Sequence, residues 1–155
     1  MSTIPSALAA INTLLEIGDG GSPEHFARIA NCGDLTGPGI SGNVVDVTSH
    51  STGTPWREKV VTLLDPATVG TTLYFIPSSG GPTGTPLVIG HDGTNGLLSK
   101  FTSRVLMNCK LIFPDTASTT YLFQAYLTKF NFKEPVAGVV TADVEFTLTG
   151  EPTFA

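Results

Sequence analysis

The chain has 155 residues, 41% of them hydrophobic and only 14% charged, with 17 glycines, 11 prolines and a formal net charge of −5. That length fits one domain that buries roughly 70% of its unfolded surface, so it needs no disulfide or metal staple. The acidic balance and scattered basic residues argue against a nucleic-acid-binding surface, and no apolar run approaches the roughly 20 residues needed to cross a bilayer. Charge well under the usual value of about 25% suggests surface meant to be covered by other copies. Two cysteines, Cys32 and Cys109, are too few for a disulfide scaffold and are read as reduced, partly buried thiols. The N-terminus lacks a basic region ahead of its apolar residues, so no secretion signal is expected.

Residues 1–12 either open a short helix capped by Ser6 or run as an arm. Thr13–Ile17 reads as a strand broken by Gly18-Asp19-Gly20-Gly21, and His25–Cys32 as a second. Gly37-Pro38-Gly39-Ile40-Ser41-Gly42 matches the dinucleotide fingerprint Gly-x-Gly-x-x-Gly. That motif works only when its glycines open a helix, whereas the β-branched Asn43–Val47 run favours a strand. The cofactor reading is rejected on that ground. A polar loop follows from Ser49 to Pro55, then the single Trp56 with Arg57 and Glu58.

Glu58–Leu64 and Val69–Ile76 read as strands joined into a hairpin through Asp65–Thr68. Residues 77–96 form a long polar loop interrupted by Leu87-Val88-Ile89, a brief strand. Asp92 or Thr94 is the expected cap of a short helix over Asn95–Phe101. Apolar residues recur at every second position from Val105 to Phe113. Thr119–Phe132 is apolar on both sides and is expected to be covered on both. Val140, Ala142, Val144, Phe146 and Leu148 alternate with Thr141, Asp143, Glu145, Thr147 and Thr149, the clearest period-two pattern in the chain. The expected fold is mainly β: a single two-sheet β-sandwich or barrel-like domain over 1–155, with one or two short flanking helices and long polar loops.

The residues give little support to catalysis. His25, His50 and His91 lie in separate segments without metal-ligand spacing, and are expected to be solvated or at subunit contacts. Ser49, His50 and Asp46 lack the strained elbow that a nucleophilic serine needs, and Asp46, Thr48 and Ser49 are expected to cap loop amides. Asp143 and Glu145 sit on one side of a strand among threonines, with no apolar pocket to raise a carboxyl pKa. A hydrolase using Asp46 or Asp143 is therefore the weakest reading. No cofactor is expected.

The ordered set of Gly18-Asp19-Gly20, Gly37-Pro38-Gly39, Val45-Asp46-Val47-Thr48, Trp56-Arg57-Glu58 and Phe113-Pro114-Asp115 resembles the major tail tube proteins of long-tailed bacteriophages. The aromatic strand through Phe123 and Ala125, and the closing strand ending Thr149-Gly150-Glu151-Pro152, belong to the same resemblance, which spans about Leu14 to Thr153. Pro66-Ala67-Thr68 replaces a turn that often carries glycine in that family, and the Pro77–Thr94 insertion aligns poorly. The resemblance implies a structural virion protein, made in the bacterial host cytoplasm. Hexameric rings would share a continuous barrel and stack into a tube through which DNA passes without specific binding. Partners would be the chain itself, the tape measure protein, and the tail tip and tail terminator proteins. Asp46, Thr48, His50, Trp56, Arg57 and Glu58 become candidate subunit contacts, Ser49–Pro55 and Pro77–Gly96 candidate inter-ring segments, and Asp143 and Glu145 candidate lumen-facing residues. The alternative is a carbohydrate- or protein-binding β-sandwich module, which requires Tyr121, Phe123 and Tyr126 as an exposed aromatic row.

Overall fold

A computed structural model describes residues 13–51, 53–76 and 81–154. The expected N-terminal helix or arm, and residues 77–80 of the long loop, lie outside the described residues. The chain is mainly β, as its periodicity implies. In order, its strands are β1 (Leu14–Gly18), β2 (Phe26–Ile29), β3 (Cys32–Thr36), β4 (Ser41–Asp46), β5 (Lys59–Asp65), β6 (Thr68–Tyr74) and β7 (Val88–Ile89). Helix α1 (Leu97–Ser103) precedes β8 (Met107–Ile112), β9 (Thr120–Lys133) and β10 (Thr141–Phe154).

Eight strands form one sheet in the order β3-β6-β10-β9-β8-β1-β2-β7, and β4 pairs only with β5 in a separate two-stranded sheet. The large sheet puts one face inward. Leu15 and Ile17, Cys109 and Leu111, Phe123 and Ala125, Val144 and Phe146, and Val69 and Leu73 all project into a single core, which Leu97 of α1 helps to close. The alternation read for β8 and β10 thus has its expected cause: Met107, Cys109 and Leu111, and Ala142 through Leu148 at every second residue, are buried. Phe146 is fully enclosed; removing its ring would cost about 3–5 kcal/mol.

The topology corrects several expectations. The β5–β6 hairpin does not form, because β6 pairs with β3 along one edge and β10 along the other, so no edge is left for β5. The segment His25–Cys32 is two strands, divided where Asn31 takes a left-handed φ of 52°. Strand β9 is not covered on both faces within the chain: Tyr126 and Phe132 are 42% and 43% exposed. A register shift against β10 near Thr128 lets both Leu127 and Phe130 face the core, breaking strict alternation. Helix α1 starts at a Gly96 cap with no side-chain bond, while Asp92 accepts the Asn95 and Gly96 amides one turn earlier.

His91 is also not where sequence placed it. It is fully buried, stacked on Phe75, with Nε2 donating to the Ala30 carbonyl at 2.6 Å and Nδ1 accepting the Ile76 amide at 3.3 Å. It ties the β2–β3 turn to the end of β6. Burial holds its pKa below the ordinary histidine value, against the opposing pull of the Ala30 carbonyl. Burial likewise raises both thiols, Cys109 to about 12, so both stay protonated and unreactive at neutral pH.

A candidate assembly interface

The β4–β5 hairpin departs from the body as an arm. Every residue of both strands is exposed, and among the described elements each strand packs chiefly against the other. Its pairing is regular from Asp46↔Lys59 through Val45↔Val60 to Val44↔Val61, then shifts by a bulge before Gly42↔Leu64 and Ser41↔Asp65. By strand alternation, Val44 and Val61 share one face and Val45 and Val60 the other. Leu64 joins the first face: a side chain at Gly42 would run into Val61 and touch Leu64. Leu63 and Leu64 are 76% and 69% exposed. The arm is thus apolar on both faces and covered on neither.

Its root is fixed to the body. Gly37, at φ +82°, brings the entering chain against the Thr68 carbonyl, where any Cβ would collide. On the exit side, the Ala67 amide donates to the Asp65 carboxylate at 2.8 Å, and its carbonyl accepts the Leu148 amide at 3.1 Å. Six residues of β4 at about 3.3 Å each carry the arm roughly 20 Å from this root.

At the far end the strands hand over to the polar loop. Asp46 accepts the Thr48 amide at 2.9 Å and the Arg57 guanidinium at 2.8 Å, while Thr48 Oγ1 accepts the Glu58 amide at 2.8 Å. The bonds to Thr48, then the one to Arg57, hold the Asp46 carboxyl below its ordinary pKa. Asp46, Thr48, Arg57 and Glu58 are therefore brought together as a brace across the loop mouth. His50 and Trp56 lie out on the exposed loop, with Trp56 77% exposed. Ser49 Oγ lies 2.8 Å from Ser51 Oγ on the same loop.

Asp143 and Glu145 lie on the sheet face opposite the core. Asp143 meets Lys133 Nζ at 2.7 Å and accepts the Thr72 hydroxyl at 2.9 Å, which together hold its pKa low. Glu145 stands opposite Lys129. The face read from sequence as simply acidic thus has lysines set against its carboxylates.

A second apolar surface was missed in the sequence, where Pro135–Gly138 reads only as a turn. Val136, Val139 and Val140 at the β9–β10 turn are 107%, 59% and 43% exposed. The doublets Val44-Val45, Val60-Val61 and Leu63-Leu64 were the available signal for the arm, since consecutive apolar residues in a strand occupy both faces. The aromatic row needed by a carbohydrate-binding module is absent: Tyr121 and Phe123 are buried and only Tyr126 is exposed.

No group of three or more metal-ligating side chains occurs among the described residues, and no helix there is long and apolar enough to cross a membrane. No protein-family model matches the sequence, and no curated protein matches it. Solved structures do match. A chain from the tail of an empty gene transfer agent particle, refined with six-fold helical symmetry, superposes with a TM-score of 0.68 at 18% identity, covering 96% of this chain and 99% of that one. A chain of the native gene transfer agent virion gives 0.64 at 17% identity, with the same coverage. A chain of the six-fold symmetrised baseplate of the anti-feeding prophage gives 0.61 at 11% identity, covering 100% of this chain and 97% of that one.

The chain has the fold of these tail-particle subunits. The likeness spans essentially the whole of both partners. The mainly β fold expected from the tail-tube resemblance is the fold observed.

Proposed function

We propose that this chain is a non-enzymatic structural subunit of a virion tail tube, six copies forming a ring and rings stacking around a channel for DNA. One observation carries the reading: a well-packed domain projects a two-stranded arm that is apolar on both faces and bare on both. Such an arm is stable only when covered, since exposed apolar strand pairs otherwise aggregate. The arm requires a partner above and a partner below it, and other copies of the chain supply both. The six-fold symmetry of the similar tail particles supports six copies per ring.

In this reading Asp46, Thr48, Arg57 and Glu58 hold the loop in shape for contact, while His50 and Trp56 touch the neighbouring subunit. The Ser49–Pro55 loop and the polar part of the 77–96 segment meet the adjacent ring. Asp143 and Glu145 face the channel, where carboxylates screened by Lys129 and Lys133 offer DNA phosphates no net attraction. The tape measure, tail tip and tail terminator proteins are the partners at the tube's interior and ends. Sedimentation velocity over a wide concentration range tests the reading. It predicts conversion of monomer into ring-sized and larger species. A sample that remains monomeric as concentration rises contradicts it.

A further inference from the structure

The large sheet curls until its two ends meet. β3 opens the strand order and β7 ends it, yet β2, the neighbour of β7, runs directly into β3 through the left-handed Asn31. Main-chain bonds fasten each side of this seam. The Tyr74 amide donates to the Asn31 carbonyl at 3.1 Å, and the Arg28 and Ala30 amides hold β7 through Leu87 and Ile89. His91, two residues beyond β7, adds a side-chain bond to each side: one to Ala30 after β2, one to Ile76 after β6. The Ile76 amide can only donate, so Nδ1 presents its lone pair. The neutral ring then carries its proton on Nε2, toward the Ala30 carbonyl. A second proton would sit on Nδ1 and face the Ile76 N–H, donor against donor.

We propose that His91 is a pH-sensitive latch on this seam: neutral, it joins the ends of β2 and β6, and protonated, it releases the Ile76 amide and loosens this end of the sheet while the rest of the fold stays intact. The surrounding charges are engaged elsewhere. Arg28 points out of β2 toward Glu16, Asp92 accepts the Asn95 and Gly96 amides, and Lys133 pairs with Asp143 on the outer face. Lys100 of α1 borders a cleft with Asp19, Asp34 and Lys129 border another with Asp143, and Arg104 and Tyr74 are exposed. The Cys32 thiol lies against Thr71. Burial is thus what bears most on the ring, and it favours the neutral, latched form. An open seam returns the ring to water and its ordinary pKa of 6.5, so opening gains about tenfold between pH 7.5 and 5.5 while the closed ring stays neutral. The latch belongs to the single subunit and stands apart from its assembly.

Native-state hydrogen exchange of the dilute full-length subunit in low urea, at pH 7.5 and 5.5, tests the latch, with rates expressed as protection so that the intrinsic pH effect cancels. The Tyr74 and Ile76 amides are expected to lose about tenfold in protection with little dependence on urea, the mark of a small local opening. Amides of β9 and β10 keep the steep urea dependence of whole-subunit unfolding. His91→Gln keeps a donor for the Ala30 carbonyl but cannot titrate, and should abolish the pH-dependent loss at Tyr74 and Ile76. Protection at Ile76 that follows the urea dependence of β9 and β10, or a loss that persists in His91→Gln, overturns the inference. Ring-nitrogen NMR of the wild-type protein decides without any variant: a proton on Nε2 at pH 7.5 is expected, and one on Nδ1 overturns the latch.

Discussion

Replacing Leu63 and Leu64 by alanine tests whether the arm is covered in the assembled state. Burying a whole leucine side chain contributes about 1.5–3 kcal/mol. With 76% and 69% of these residues exposed in the isolated subunit, nearly three-quarters of that term is still to be gained on assembly. Truncation to alanine removes most of it, roughly 1.5 kcal/mol per leucine and about 3 kcal/mol for the pair. At about 1.4 kcal/mol per factor of ten, the association constant falls roughly 100-fold. The isolated subunit loses almost nothing, because exposed positions away from special backbone features shift stability by about 0.5 kcal/mol or less. The assay is pelleting across a dilution series, with the critical concentration read from protein left in the supernatant, beside thermal melts of the dilute subunit. The expected result is a critical concentration raised about 100-fold with an unchanged melt. An unchanged critical concentration, or a melt lowered as for a core leucine, would refute the reasoning.

His91 predicts a pH dependence above the range where carboxylates titrate. Its folded pKa lies below the ordinary value of 6.5, so the unfolded chain takes up the proton first as pH falls. The stabilisation is complete above 6.5 and declines as pH drops until the folded imidazole itself titrates, by about 1.4 kcal/mol for each unit of depression. Melting temperature should fall between pH 7.5 and 5.5, and His91→Gln should flatten that slope; an unaltered slope in the variant contradicts the assignment. Gly37→Ala should destabilise the subunit by about 2 kcal/mol or more in a denaturant titration, because a Cβ at positive φ meets the Thr68 carbonyl. Trp56 is the single tryptophan and is exposed at the arm's end, so its emission should shift to the blue as concentration drives assembly. Constant emission through assembly would place that loop outside the contacts. Asp143→Lys with Glu145→Lys should slow DNA release from assembled particles while tubes still form; unchanged release would count against a channel-facing position.

Much of the fold is legible because single residues report their burial. In β8 and β10 one face is core and the other is not, so Met107, Cys109 and Leu111, or Ala142 through Leu148, spell out a period of two. What was hidden lies in pairing and in context. The turn chemistry at Asp65-Pro66 was read correctly as a turn, but a turn does not say which strands it joins. Only the two occupied edges of β6 show that β5 belongs to the arm. The extra residue near Thr128 cannot be seen in a strand that is apolar on both sides. His91 looks like any loop histidine because groups that hold it, Ala30, Phe75 and Ile76, lie outside its own segment of the chain. For the candidate site, sequence picked out the loop residues Asp46 to Glu58 but attributed to polarity what the strands beneath them do through exposed valines and leucines.

The most direct test of the central claim is electron microscopy of purified protein concentrated well above the threshold found by pelleting. The account predicts hollow tubes of stacked rings, six-fold in end view, in which no β4–β5 arm is left in solvent. Dispersed particles of subunit size at every concentration, or aggregates without a channel or a repeat, would contradict it.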